Sequence, residues 1–271
     1  MKYFLTVLTI ALLFIGGPGC KPQPEGQAVD VSGEKTESLA FEGQEFLRQS
    51  PSCATDSNRC ATILAKYPLA IAGPENVIKR INDTIDVYVR LSLAVFALSP
   101  EEMPETLDEI ARQFLEEYEA VTTEEVDFVT PWSAELDGKV IYQSPEVVSI
   151  QLATYSFAGG AHPNYFTFLF TFDAATGQKL TLKDMVRDTA QLKVLAAAAF
   201  REARGLAPDE NLSEAGFFWG EDFQLPEYVA LTDEGLYCYY NPYEVAAYVM
   251  GNTEFTIPWD QLEGLLAPTR K

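Results

Sequence analysis

The hydrophobic and polar positions fall into two periods, and their alternation lays out the chain. Apolar residues recur at helical spacing through Glu75–Leu98 (Val77, Ile78, Ile81, Ile85, Tyr88, Val89, Leu91), with Pro74 at the helix start. A second helix is expected from Pro104 to Ala120, on Leu107, Ile110, Ala111, Phe114, Leu115 and Tyr118. An Ala-rich third runs from Asp188 to Arg204. Runs rich in aromatic and β-branched residues read as strands: Cys60–Tyr67 closed by Pro68, Phe128–Leu136, Lys139–Gln143, Val147–Phe157, Tyr165–Asp173, Lys179–Leu182, Tyr228–Thr232, Leu236–Tyr240 and Glu254–Ile257. Asp137-Gly138 predicts a two-residue hairpin, and Asp233-Glu234-Gly235 a second turn between strands. A short helix from Trp259 to Leu266 closes the chain. Helices and strands mix without strict βαβ alternation, which predicts an α+β fold with a mainly antiparallel sheet and packed helices.

Composition adds a compartment and a charge. Of 271 residues, 47% are hydrophobic and 22% charged, which is globular composition. Asp and Glu number 40 against 19 Lys and Arg, a net charge of -21, so nucleic acid is excluded as a partner and cationic proteins are favoured. Residues 1–20 form a targeting segment: Lys2, the apolar run Phe4–Ile15, small residues Gly16–Gly19, then Cys20. This resembles a bacterial lipoprotein signal in which Cys20 becomes the acylated (palmitate-bearing) first residue. The membrane is then reached through the lipid anchor only. Residues 21–44, rich in Pro, Gly, Gln, Ser and Glu, are expected to be a flexible tether, with folded structure from Glu45.

Cysteine and histidine bound the chemistry. Cys53 and Cys60, seven apart in a polar, turn-prone stretch, suit a disulfide in an oxidising envelope, and Cys238 in LYCYY suits a buried free thiol. His162 is the single histidine, so any Ser-His or Cys-His nucleophile must use it. It lies in the loop Ala158–Asn164 between two strong strand runs, beside Gly159, Gly160, Pro163 and Asn164, residues suited to a special backbone turn. Glu221 and Asp222 beside Phe218, Trp219 and Phe223 have the composition of a sugar cleft, but adjacent carboxylates rarely span one bond. Packing of those aromatics into the core is the favoured reading there. Nucleotide and metal motifs are lacking, and no cofactor or metal is expected.

Several segments taken in order resemble a known family: Tyr155–Asn164 (YSFAGGAHPN), Phe172–Leu180 (FDAATGQKL), Leu231–Leu236, Asn241–Val245 (NPYEV) and Phe255–Trp259 (FTIPW). They resemble the envelope domains of largely unknown function found at the C-terminus of RsiV-type anti-sigma factors and as the accessory part of PdaC-type peptidoglycan deacetylases. The resemblance covers roughly residues 50–268, with 45–172 similar to the PdaC accessory part and 173–268 to the RsiV C-terminal part. It implies a non-catalytic, lipid-anchored envelope protein, facing the periplasm from the outer membrane, that binds lysozyme or a similar cationic wall hydrolase. The alternatives are peptidoglycan or another glycan as ligand and, third, a wall-active hydrolase. The deacetylase's metal chemistry does not transfer to a chain with one histidine. Gly159, Gly160, His162, Pro163, Asn164 and Tyr165 in one loop, with Tyr243 and Tyr248 in another, are the expected ligand-binding residues. That these loops are neighbours is implied by the family-like arrangement.

Overall fold

The computed structural model describes residues 38–97, 103–123 and 129–267. The targeting segment, Cys20 and most of the tether lie outside the described residues. Five strands make one sheet in the order β1-β2-β3-β4-β5: β1 (Ala40–Gln49), β2 (Ala61–Ala72), β3 (Trp132–Gln143), β4 (Val147–Phe157) and β5 (Asn164–Asp173). All neighbours are antiparallel except β2 and β3, which are parallel and joined through α1 (Glu75–Leu93) and α2 (Leu107–Thr123). A parallel pair needs such a crossover, and two helices provide it. A second sheet, β6 (Tyr228–Leu231), β7 (Gly235–Tyr240) and β8 (Thr253–Pro258), is wholly antiparallel. It packs with α3 (Leu182–Met185) and α4 (Thr189–Ala203), whose N-cap Asp188 accepts the Gln191 N–H. The α+β expectation holds.

Helical spacing does what it promised in α1. Val77, Ile81, Ile85, Val89 and Leu93 are all buried and meet Ile63, Ala65, Ala134, Leu136, Ile150 and Leu152 on one face of the first sheet. Each such side chain, buried whole, contributes on the order of 1.5–3 kcal/mol of transfer free energy. A second apolar core gathers Leu192, Ala196 and Phe200 of α4, Phe217, Phe218 and Phe223, and Leu231, Leu236, Cys238, Tyr240 and Ile257. Val147 of β4 belongs to that second core, while Val148 and Ile150 belong to the first. The alternate faces of one strand thus serve two cores. Between them Ser149 and Thr171, opposite each other in the β4–β5 ladder and both buried, share a 2.9 Å hydrogen bond, and Thr171 Oγ1 accepts the Leu231 N–H of β6.

Several boundaries differ from the sequence reading. The first strand is β1, not β2: it begins at Ala40, so the fold takes in the last residues assigned to the tether. Pro68 does not close β2, which continues to Ala72 with Pro68 opposite Gly43 of the edge strand β1. That placement is permitted because β3 pairs with β2 only as far as Lys66, so at Pro68 one side of β2 is open, as on an edge strand. Asp137-Gly138 makes no hairpin. β3 runs straight through it, pairing Lys66 with Asp137 on one side and Leu152 with Gly138 on the other. Glycine is needed there for close approach, since a Cβ would lie 2.6 Å from Leu152 Cδ2 and 3.1 Å from the Lys66 carbonyl oxygen. α1 stops at Leu93 and α2 begins at Leu107. Lys179 makes only an isolated bridge to Phe172, and residues 259–265 form turns rather than a helix. Phe128 lies outside the described residues.

Candidate functional site

The loop between β4 and β5 is built on a backbone exception. Gly159 adopts φ +78°, and a Cβ there would sit 2.9 Å from Trp132 Nε1, so both conformation and space require glycine. Gly160 takes no positive φ among the described glycines, and Asn164 opens β5 opposite Ser156 instead of adopting a left-handed turn. One pair further along, Tyr155 and Tyr165 face each other across the ladder with rings 5.2 Å apart, edge to face.

The second loop is clamped to this hairpin by Asn241. Its side-chain oxygen accepts the Thr167 N–H at 2.7 Å, and its amide nitrogen donates to the Thr167 carbonyl at 3.2 Å. Asn241 and Thr167 are both buried. The side chain thus completes the backbone bonding of one β5 residue, as another strand would. The Glu244 carboxylate accepts the Asn241 N–H at 2.8 Å, closing the turn on itself. Burial is the largest influence on Glu244 and raises its pKa, against the lowering pull of the Asn241 and Glu227 N–H bonds.

The two loops meet through their rings. His162 stacks on Tyr248, with centroids 3.9 Å apart and planes 21° from parallel. Its Nδ1–H donates to the Pro163 carbonyl (2.9 Å), leaving Nε2 to accept from the Tyr243 hydroxyl at 3.4 Å. The Tyr248 hydroxyl donates to the same Pro163 carbonyl at 2.6 Å, and the Tyr243 and Tyr248 rings are 5.6 Å apart. Desolvation, then the nearby Tyr165, Tyr243 and Tyr155, raise the Tyr248 pKa, which places four tyrosines in one neighbourhood. Tyr243 stands in the left-handed region at φ 69°, unusual for a bulky residue, and is 57% exposed; Tyr165 is 48% exposed. The hydroxyl facing His162 Nε2 is a phenol, whereas Ser156 is held in the ladder opposite Asn164.

His162, Pro163, Tyr243 and Tyr248 are therefore in direct contact, with Tyr165 beside them through Tyr155, and Gly159 supports the turn from Trp132. Sequence reasoning missed Asn241 as a clamp and Thr167 as its partner. The only signal was the Asn-Pro pair, which reads as a strand breaker. Toward the β1 edge of the first sheet Cys53 and Cys60 are joined (S–S 1.99 Å), the Cys60 carbonyl accepting the Trp132 N–H at 3.0 Å, and Cys238 is a free buried thiol. Burial pushes that thiol's pKa far up. Among the described residues no group of three or more His, Cys, Asp or Glu is placed to hold a metal, and no helix is long and apolar enough to cross a membrane.

Residues 54–165 match the family model described as deacetylase PdaC, and residues 182–260 match that of a protein of unknown function, DUF3298. No curated protein matches the chain. A crystal structure of a DUF3298-family protein from Pseudomonas aeruginosa PAO1 is 24% identical, with TM-score 0.62, and covers 86% of this chain and 96% of its own. One of a DUF3298-family member from Bacteroides fragilis NCTC 9343 is 15% identical, with TM-score 0.64 and the same coverage. These two establish likeness of fold. The chain thus carries a PdaC-type segment followed by a DUF3298 segment, the envelope domain family of unknown function that its GGAHPN, NPYE and TIPW stretches resemble.

Proposed function

We propose that this is a lipid-anchored protein of the bacterial envelope, held at Cys20 in the outer membrane facing the periplasm, which binds a cationic wall-associated protein of the lysozyme type without chemistry of its own. The observation that carries the binding face is the joined ledge of His162, Tyr165, Tyr243 and Tyr248, where the rings of Tyr165 and Tyr243 stand exposed over the half-buried His162 and Tyr248. Such residues dominate interface energetics. The net charge of -21 supplies the long-range attraction for a basic partner. With Nε2 facing a phenol and both hydrogen-bonding ends of His162 occupied, the histidine acts here as a strut for Tyr248 and Tyr243.

Binding of the purified protein to lysozyme by surface plasmon resonance at low and high salt tests this. Association should slow with salt, since screening sets in beyond roughly 8–10 Å. Tyr243→Ala and Tyr165→Ala should each weaken binding about tenfold, the scale of an interface anchor. Unchanged affinity in both variants, with the fold intact by circular dichroism, removes this face. For the anchor, Cys20→Ala should free the protein from membranes or leave its first residues uncleaved. Recovery of that variant in membranes at mature length contradicts the lipid reading.

A further inference from the structure

A second surface lies on the other core. Phe217, Phe218 and Phe223 are buried around Phe200 of α4, as packing of this aromatic stretch requires. Trp219 between them is not: it is 62% exposed. The backbone turns out to present it. Phe218 (φ 60°), Trp219 (φ 53°) and Gly220 (φ 94°) are three successive residues in positive-φ conformations, and the turn is closed by the Glu221 N–H to Phe218 carbonyl bond at 2.8 Å. A left-handed residue costs on the order of 1–2 kcal/mol, and here two of the three are bulky aromatics. Strain and exposure fall on the same tryptophan.

The residues that follow Trp219 line a cleft of about 790 Å³ between this turn, the segment around residues 209–213 and α4. That volume is in the range of small-molecule sites. Its charged groups are of both signs: Lys193 and Arg201 from α4, and Asp209, Glu210, Glu221 and Asp222 from the loops. Among the described residues no ion pair joins any two of them. Arg201 is underserved: it reaches the Ala197 and Glu210 carbonyls only at 3.3 and 3.4 Å, and its buried Nε has no partner. Good N–H···O bonds are shorter than that.

This charge pattern selects the ligand class. Four carboxylates against two cations disfavour an anion, and the described residues offer no metal site. A neutral ligand rich in hydroxyls suits both signs, because each hydroxyl can accept from Lys193 or Arg201 and donate to a carboxylate. An exposed indole beside such a cleft is a platform for the apolar face of a sugar ring. We propose that the cleft flanked by Trp219 is a binding site for a neutral oligosaccharide, separate from the His162–Tyr243 ledge and independent of what that ledge binds.

Isothermal titration calorimetry of the full chain in a non-glycosidic detergent tests it, with tri-N-acetylchitotriose, cellotriose and maltotriose as probes. At least one trisaccharide should bind saturably at millimolar concentration, with little change on adding salt. Trp219→Ala should weaken that binding about tenfold, Trp219→Tyr should keep part of it, and Glu221→Ala with Asp222→Ala should lower it further. Trp219 and both acids are exposed, so these variants should leave the thermal midpoint unchanged. Tyr243→Ala should bind the sugar as the parent does while binding lysozyme about tenfold more weakly, which separates the two surfaces. Absence of binding by all three sugars overturns the proposal, as does unaltered affinity in Trp219→Ala or loss of sugar binding in Tyr243→Ala alone.

Discussion

Asn241 is where the candidate ledge can be unfastened without touching its rings. In Asn241→Ala the Thr167 N–H and carbonyl lose the partners now at 2.7 and 3.2 Å, in a place where Thr167 is 5% and Asn241 3% exposed. Each buried backbone group left unsatisfied costs on the order of 1–3 kcal/mol. Entry of water offsets part of this, so a loss of roughly 2–4 kcal/mol is expected, a large share of the 5–15 kcal/mol of an ordinary domain. Urea unfolding reads the shift in midpoint at constant slope, and amide hydrogen exchange reads the Thr167 N–H directly. That amide should change from protected to fast-exchanging. Asn241→Asp separates the two bonds: it keeps an acceptor for the Thr167 N–H but sets a carboxylate against the Thr167 carbonyl. Protection of the amide should survive in it while stability still falls. A loss below about 0.5 kcal/mol in Asn241→Ala, or a Thr167 amide as protected as in the parent, would refute the clamp.

Two further outcomes follow from the same structure. Glu244 has a raised folded-state pKa, chiefly through burial, so its contribution to stability is present in full below the ordinary value of 4.5 and is lost as pH rises through the folded value. The stability of the parent relative to Glu244→Gln should therefore grow as pH falls from 7 toward 4.5, and a shrinking difference in chemical denaturation would contradict the assignment. Cys53→Ser opens a loop whose ends are seven residues apart, and the chain-entropy relation puts the loss near ~2.5 kcal/mol; an unchanged unfolding midpoint would show the disulfide to be idle.

What the sequence determined by itself is what local periodicity and chemistry determine. The buried stripe of α1, the β4 and β5 runs, the Cys53–Cys60 link and the glycine-bearing loop at 158–164 all follow from neighbours a few residues apart. A resemblance carried by short motifs then located the envelope family. Tertiary structure decided the rest. Asp137-Gly138 has the local signature of a turn, but two neighbouring strands hold it extended, since pairing on both sides outweighs turn preference. β1 carries Gly43 and Gln44, which read as tether, and becomes a strand because β2 offers it an open edge. Asn241 marks a break by its own chemistry and becomes a clamp only because β5, more than seventy positions earlier, presents Thr167 to it. Trp219 shares a hydrophobic run with three phenylalanines that the core absorbs, and only the left-handed turn directs it outward. For the first three the deciding partner is distant along the chain, and local pattern carries no information about it.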